Sequence, residues 1–164
     1  MNHGIAKKVA TGGVTAALAV VIICLGTVIP LATFICPLLC MILLSLVLRF
    51  TDVKIGWGWY IAVCILGLLL SPDKEAAATF VFLGYYPIIK PHLDRLKLSF
   101  IWKLALFNIA IGAMYGSLIY IFGMEALLVE FYQMGTILCA ATLVLGNLCL
   151  FIFDYLLTRM GKLR

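Results

Sequence analysis

"LGYYPIIKPHLDRLK", Leu83 to Lys97, begins as the end of an apolar helix and finishes as a basic loop. The Gly-Tyr-Tyr-Pro at its centre stops a membrane-like segment, and Lys90, His92, Arg95 and Lys97 then crowd together. Such a cluster is open to four readings: a nucleic-acid patch, a ligand site, an orientation signal, or a docking surface for a soluble partner. The rest of the chain decides among them.

Of the 164 residues, 65% are hydrophobic and 12% are charged, against about 25% charged in soluble globular domains. We therefore expect an integral membrane protein in contact with lipid. Nucleic-acid binding is excluded as a reading of the +5 net charge, because the cations sit in short clusters between long apolar runs and form no stripe with interleaved aromatics. All six cysteines fall inside apolar runs, where thiols pack as small hydrophobes. Cys36 and Cys40 are one helical turn apart, but His3 and His92 lie outside the apolar spans and no CxxC occurs, so no metal site is expected. The basic start and apolar stretch at the N-terminus resemble a signal peptide; the length of Ile5 to Ile29 and the spans beyond it favour a first membrane helix.

The apolar runs and their breakers predict one all-α transmembrane domain over residues 1–164. Its six helices run over about 5–29, 31–48, 55–70, 76–89, 100–122 and 134–157. Pro30, Ser71-Pro72-Asp73, and Pro87 with Pro91 supply the punctuation. The fourth run is short, roughly 21 Å of helix against a core of about 30 Å, so an interrupted or distorted segment is expected. Its Gly84 and Pro87 flank Tyr85 and Tyr86, a pattern that either kinks a helix end or frees backbone groups near a transport path.

Counting by alternate sides puts every Lys and Arg except Lys74 on the side of both termini. Short cytoplasmic loops retain positive charge. The termini and the Lys90 to Lys97 loop are therefore expected in the cytoplasm of a plasma-membrane protein, and the loop's first task is topological. Trp57, Trp59, Tyr60 and Trp102 then fall near the same interface, where amphipathic rings collect.

Several residues break the plain apolar pattern. Ala6, Ala10, Gly13 and Ala17 lie on one face of the first helix, and small residues let two backbones approach closely in lipid. That face serves either this chain's own bundle or a partner subunit. Asn108, Gly112, Gly116 and Gly123 share a face of the fifth helix, and Gly135, Cys139, Thr142 and Gly146 a face of the sixth, so these two helices are expected to pack together. Asn108 and Asn147 each require an interhelical partner, a water or a ligand. Lys103 and Asp154 fall at similar depth in antiparallel helices, where they either pair or reach back to the interface. No P-loop, HExxH or GxSxG is present, nor a carboxylate pair at helical spacing in the membrane; neither an enzyme nor a cofactor is expected.

The size, the six spans and the first-helix run "AKKVATGGVTAALAV" resemble the S-components of energy-coupling factor transporters. These small six-helix subunits capture a vitamin or other micronutrient for a shared transmembrane coupling protein and two ATPases. The resemblance implies a coupling face at Ala6, Ala10, Gly13 and Ala17, with Lys90, Arg95 and Lys97 on the partner-facing side. It also implies ligand entry at the external half of helices four to six, making Tyr115, Tyr120, Glu125, Glu130 and Asn147 binding candidates. The family usually has a long external loop between its first two helices, whereas "GTVIPLAT" leaves almost none. A second class of function fits the same residues: a non-transporting scaffold that docks a cytoplasmic partner on the basic loops.

Overall fold

The computed structural model describes residues 3–26 and 32–162. The break at Pro30, Arg164, and the side chains of Glu130 and Lys162 lie outside the described residues. Among those described, the chain is all-helical: α1 (His3–Leu25), α2 (Ala32–Phe50), α3 (Val53–Leu70), α4 (Lys74–Leu83), α5 (Tyr86–Leu93), α6 (Ser99–Tyr120) and α7 (Glu125–Lys162). Five of them, α1, α2, α3, α6 and α7, are long and apolar enough to cross a membrane. The residues expected to form the fourth span fold as two short helices, α4 and α5. The chain forms two compact units, Met1–Asp94 and Arg95–Arg164.

In the first unit α1 packs on α2 and α3, and α4 and α5 pack on α2 and α3. The fit is large against small. Ile23 of α1 is fully buried, and a Cβ built on Gly67 of α3 would lie 3.5 Å from its Cδ1. In the other direction Ile55 of α3 approaches Gly12 of α1, with 3.7 Å to a built Cβ. Such close backbone approach gains dispersion contacts, which dominate where lipid offers no hydrophobic drive. Two polar contacts pin the register. The Trp59 indole N–H donates to the Thr15 hydroxyl at 3.1 Å, and the Cys40 thiol donates to the Ala19 carbonyl at 3.3 Å.

The turn from α3 to α4 is closed by its own polar residues. Asp73 caps α4, accepting from the Ala76 N–H at 3.0 Å, and it also accepts from the Thr33 hydroxyl of α2 at 3.0 Å. Lys74 donates to the carbonyls of Leu68 and Ser71 at 2.8 and 2.9 Å, satisfying acceptors that the end of α3 leaves without helical donors.

In the second unit α6 packs on α7. The final helix is broken at Gly135 (φ 70, ψ 165), a conformation that a side chain disfavours. The sixth apolar run therefore begins beyond a kink, preceded by a short helix that hydropathy alone assigns to a loop.

Candidate functional site

Three places combine groups that a plain lipid-facing bundle does not require. The first is α1. Ala6, Ala10, Gly13 and Ala17 are all exposed, and a Cβ added at Gly13 meets nothing within 4 Å. The helix packs inside its unit with a different face, that of Gly12, Ala19, Val20 and Ile23, all of them buried. Of the two uses the sequence leaves open for the small-residue face, packing against α2 and α3 is not the one observed. At the start of the same helix Lys8 pairs with Asp52, which precedes α3, at 3.2 Å with both side chains largely solvent-accessible.

The second place is the break between α4 and α5. Pro87 has no N–H, so the Leu83 carbonyl four residues earlier loses its helical donor; Pro91 does the same to the Pro87 carbonyl. Gly84 and Tyr85 keep right-handed helical angles through the junction. The Val81 carbonyl, the acceptor that Tyr85 would use in an unbroken helix, receives the Tyr60 hydroxyl of α3. In an apolar surrounding each backbone group needs such a partner. Around it Tyr60 meets the rings of Phe80 and Tyr85 at 5.8 and 6.2 Å, and Trp59 meets Phe80 at 6.2 Å. Gly84 is required by space: an added Cβ would stand 2.4 Å from the Phe80 carbonyl oxygen and 2.9 Å from its ring.

Three expectations are corrected here. Lys90 is not part of an exposed basic loop; it belongs to α5, is buried, and pairs with Asp94 at 3.2 Å one turn on. The two prolines, read as the end of the segment, sit inside a further helix that packs on α2 and α3. Arg95 and Lys97 are exposed. Trp59, expected among interfacial rings, is buried at 4% exposure because Thr15 supplies its N–H with an acceptor inside the unit.

The third place is the α6–α7 interface. Lys103 and Asp154 form a 2.8 Å ion pair with side-chain exposures of 7% and 17%, so pairing, and not a retreat to the interface, satisfies both charges. Further along, the Asn108 amide donates to the Asn147 oxygen at 3.1 Å, and Asn147 returns a bond at 3.3 Å. Each amide also donates to the carbonyl four residues back in its own helix, Leu104 and Leu143, at 2.8 Å. Asn147, a binding candidate, is thus engaged with Asn108. Phe107 lies against Gly146, 3.3 Å from a built Cβ, and Phe100 stacks on Phe151 at 4.6 Å. The helices pack as expected but not through the GxxxG pair: Cβ atoms added at Gly112 and Gly116 meet nothing within 4 Å.

Of the other binding candidates, Tyr115 makes an edge contact with Phe131 at 5.2 Å. Tyr120 and Glu125 are exposed at the adjoining ends of α6 and α7. The contributions of Tyr60, Thr15 and Phe131 were missed by sequence reasoning. Only Pro91, four residues after Pro87, signalled that a second carbonyl would need attention. No protein-family model, curated protein or solved structure matches this chain.

Proposed function

We propose that the chain is a six-span subunit of the plasma membrane that captures a small, micronutrient-like molecule for ATP-driven uptake. Energy comes from ATPase subunits through a transmembrane coupling protein. The observation that carries this reading is the outward small-residue face of α1: Ala6, Ala10, Gly13 and Ala17 stand exposed while Gly12 and Ala19 do the internal packing. A second transmembrane helix can approach such a face closely enough to gain backbone dispersion and weak hydrogen bonds.

In this reading the α4–α5 pair is the fourth of six spans. The twenty residues Lys74–Leu93 would rise about 30 Å if α4 and α5 are aligned, matching the hydrocarbon core. An even number of crossings puts both termini on one side, and the bias of Lys and Arg makes that side cytoplasmic. The α4–α5 break, with its Val81 carbonyl held by the Tyr60 hydroxyl of α3, is then the element that links capture to the coupling protein. This resembles the role of interrupted helices in transporters.

The exposure of Arg95 and Lys97 favours a second reading, a scaffold that docks a cytoplasmic partner there. Mass spectrometry of protein purified gently in detergent separates the two. Co-purified ATPases, a membrane coupling protein and a retained small molecule support the uptake subunit. A cytoplasmic partner without ATPases, displaced by charge reversal at Arg95 and Lys97, supports the scaffold and overturns the first reading.

A further inference from the structure

We infer that residues 125–134 form an interfacial helix whose outer side lies in the boundary between lipid headgroups and acyl chains. The element Glu125–Lys162 has 38 residues, about 57 Å if straight and nearly twice the apolar core. It is not straight. Gly135 breaks it, and Gly123 (φ 64) turns the chain just before it. Beyond Gly135 the helix still rises about 40 Å and suffices to cross. The segment between the two glycines rises only about 15 Å, too short for a span of its own.

One stripe of this segment faces α6. Leu127 is buried at 8% exposure, and Phe131, one turn on, meets the Tyr115 ring edge-on. Tyr115 lies more than a turn inside the end of α6, so the segment folds back along that helix. The opposite side carries Val129 and Tyr132, with Tyr132 exposed at 85%, beside exposed Glu125 and Gln133. Apolar and polar groups thus share the outer side, the mixture that suits a boundary with acyl chains on one hand and headgroups on the other.

The occupant is lipid, because exposed Ile121 and Phe122 lie just before the segment and exposed Ile137 and Leu138 just after it. These residues flank or belong to helices apolar enough to cross a membrane. Burial of apolar area drives the contact, with Tyr132 offering an amphipathic ring at headgroup level. The segment holds no Lys or Arg, so anionic lipid is not required. Glu125 opens the helix, where a carboxylate favours the N-terminal dipole. The inference depends on the chain crossing a membrane and is independent of the uptake reading.

The test uses the full chain with photoreactive benzoylphenylalanine in place of Val129, Tyr132 or Phe131, in phosphatidylcholine vesicles. After irradiation, cross-linked products are mapped by mass spectrometry. The expected result is acyl-chain adducts at positions 129 and 132. At position 131 these adducts are lost and a cross-link to the α6 peptide containing Tyr115 replaces them. Cross-links from 129 and 132 to peptides of residues 1–94 would overturn the inference, since protein would then cover this face. Its failure would also follow from an absence of lipid adducts at both outer positions. Those two variants alter only exposed side chains, so the test survives even if the Phe131 variant does not fold.

Discussion

Residues 1–94 join several helices mainly by fitting large side chains against small ones, whereas residues 95–164 add two successive buried polar pairs to the packing of two helices. In the first unit Ile23 meets Gly67 and Ile55 meets Gly12, and buried Ala19, Ala76, Ala77 and Ala78 keep helices close. In the second, Lys103–Asp154 and Asn108–Asn147 form successive cross-links, while most of α7 is exposed. The difference teaches how association in lipid can be reached two ways. Close packing needs many small positions and yields a broad contact. Polar pairing needs few positions, but leaves each partner costly if the other is removed.

The largest expected effect breaks the polar side of this comparison. Asp154→Ala removes the ion-pair partner of buried Lys103, and should destabilise the protein by about 3–5 kcal/mol in a thermal or denaturant assay in detergent. Lys103→Met with Asp154→Leu should recover most of that loss, because an apolar pair carries no desolvation cost. A double variant as unstable as the single one would show that the pair has some other partner on which folding depends.

Next comes the packed side. Gly84→Ala drives a methyl group into Phe80 and should cost about 1–3 kcal/mol by overpacking in the same assay. Gly112→Ala, at a glycine facing open space, should be neutral or slightly stabilising through helix propensity. Equal losses at the two glycines would erase the distinction drawn between them.

A smaller effect sharpens the comparison. A double-mutant cycle of Asn108→Ala and Asn147→Ala should give a coupling of about 0.6 to 1.7 kcal/mol, the range for interhelical hydrogen bonds in membranes. Additive losses would mean that the reciprocal amide bonds do not form in lipid.

Much of this arrangement was legible before any coordinates. Five long apolar runs became five long helices, because a membrane demands length and apolarity of a crossing segment whatever its neighbours. The interruption at Gly84 and Pro87 was visible because proline removes a donor covalently. What escaped had a different physical origin. Gly135 stands alone in an apolar run, and nothing in the pattern distinguishes a glycine that packs from one that kinks. Lys90 counts as a loop cation in any charge tally, yet α5 carries it into the unit beside Asp94. The GxxxG of α6 was misleading because small spacing identifies a face that permits close approach, not the face that is used. On α1 the same ambiguity ran between adjacent residues: Gly12 is packed and Gly13 is open.

That neighbouring pair also holds the central claim, that the outward face of α1 is where a transmembrane partner attaches. The most direct measurement compares the wild-type chain with Ala10→Leu, Gly13→Leu in detergent, recording thermal stability and the co-purified membrane and ATPase subunits together. Because a side chain at position 13 meets nothing within 4 Å, the account predicts unchanged stability with the partners lost. An unchanged set of partners on a folded double variant would contradict it.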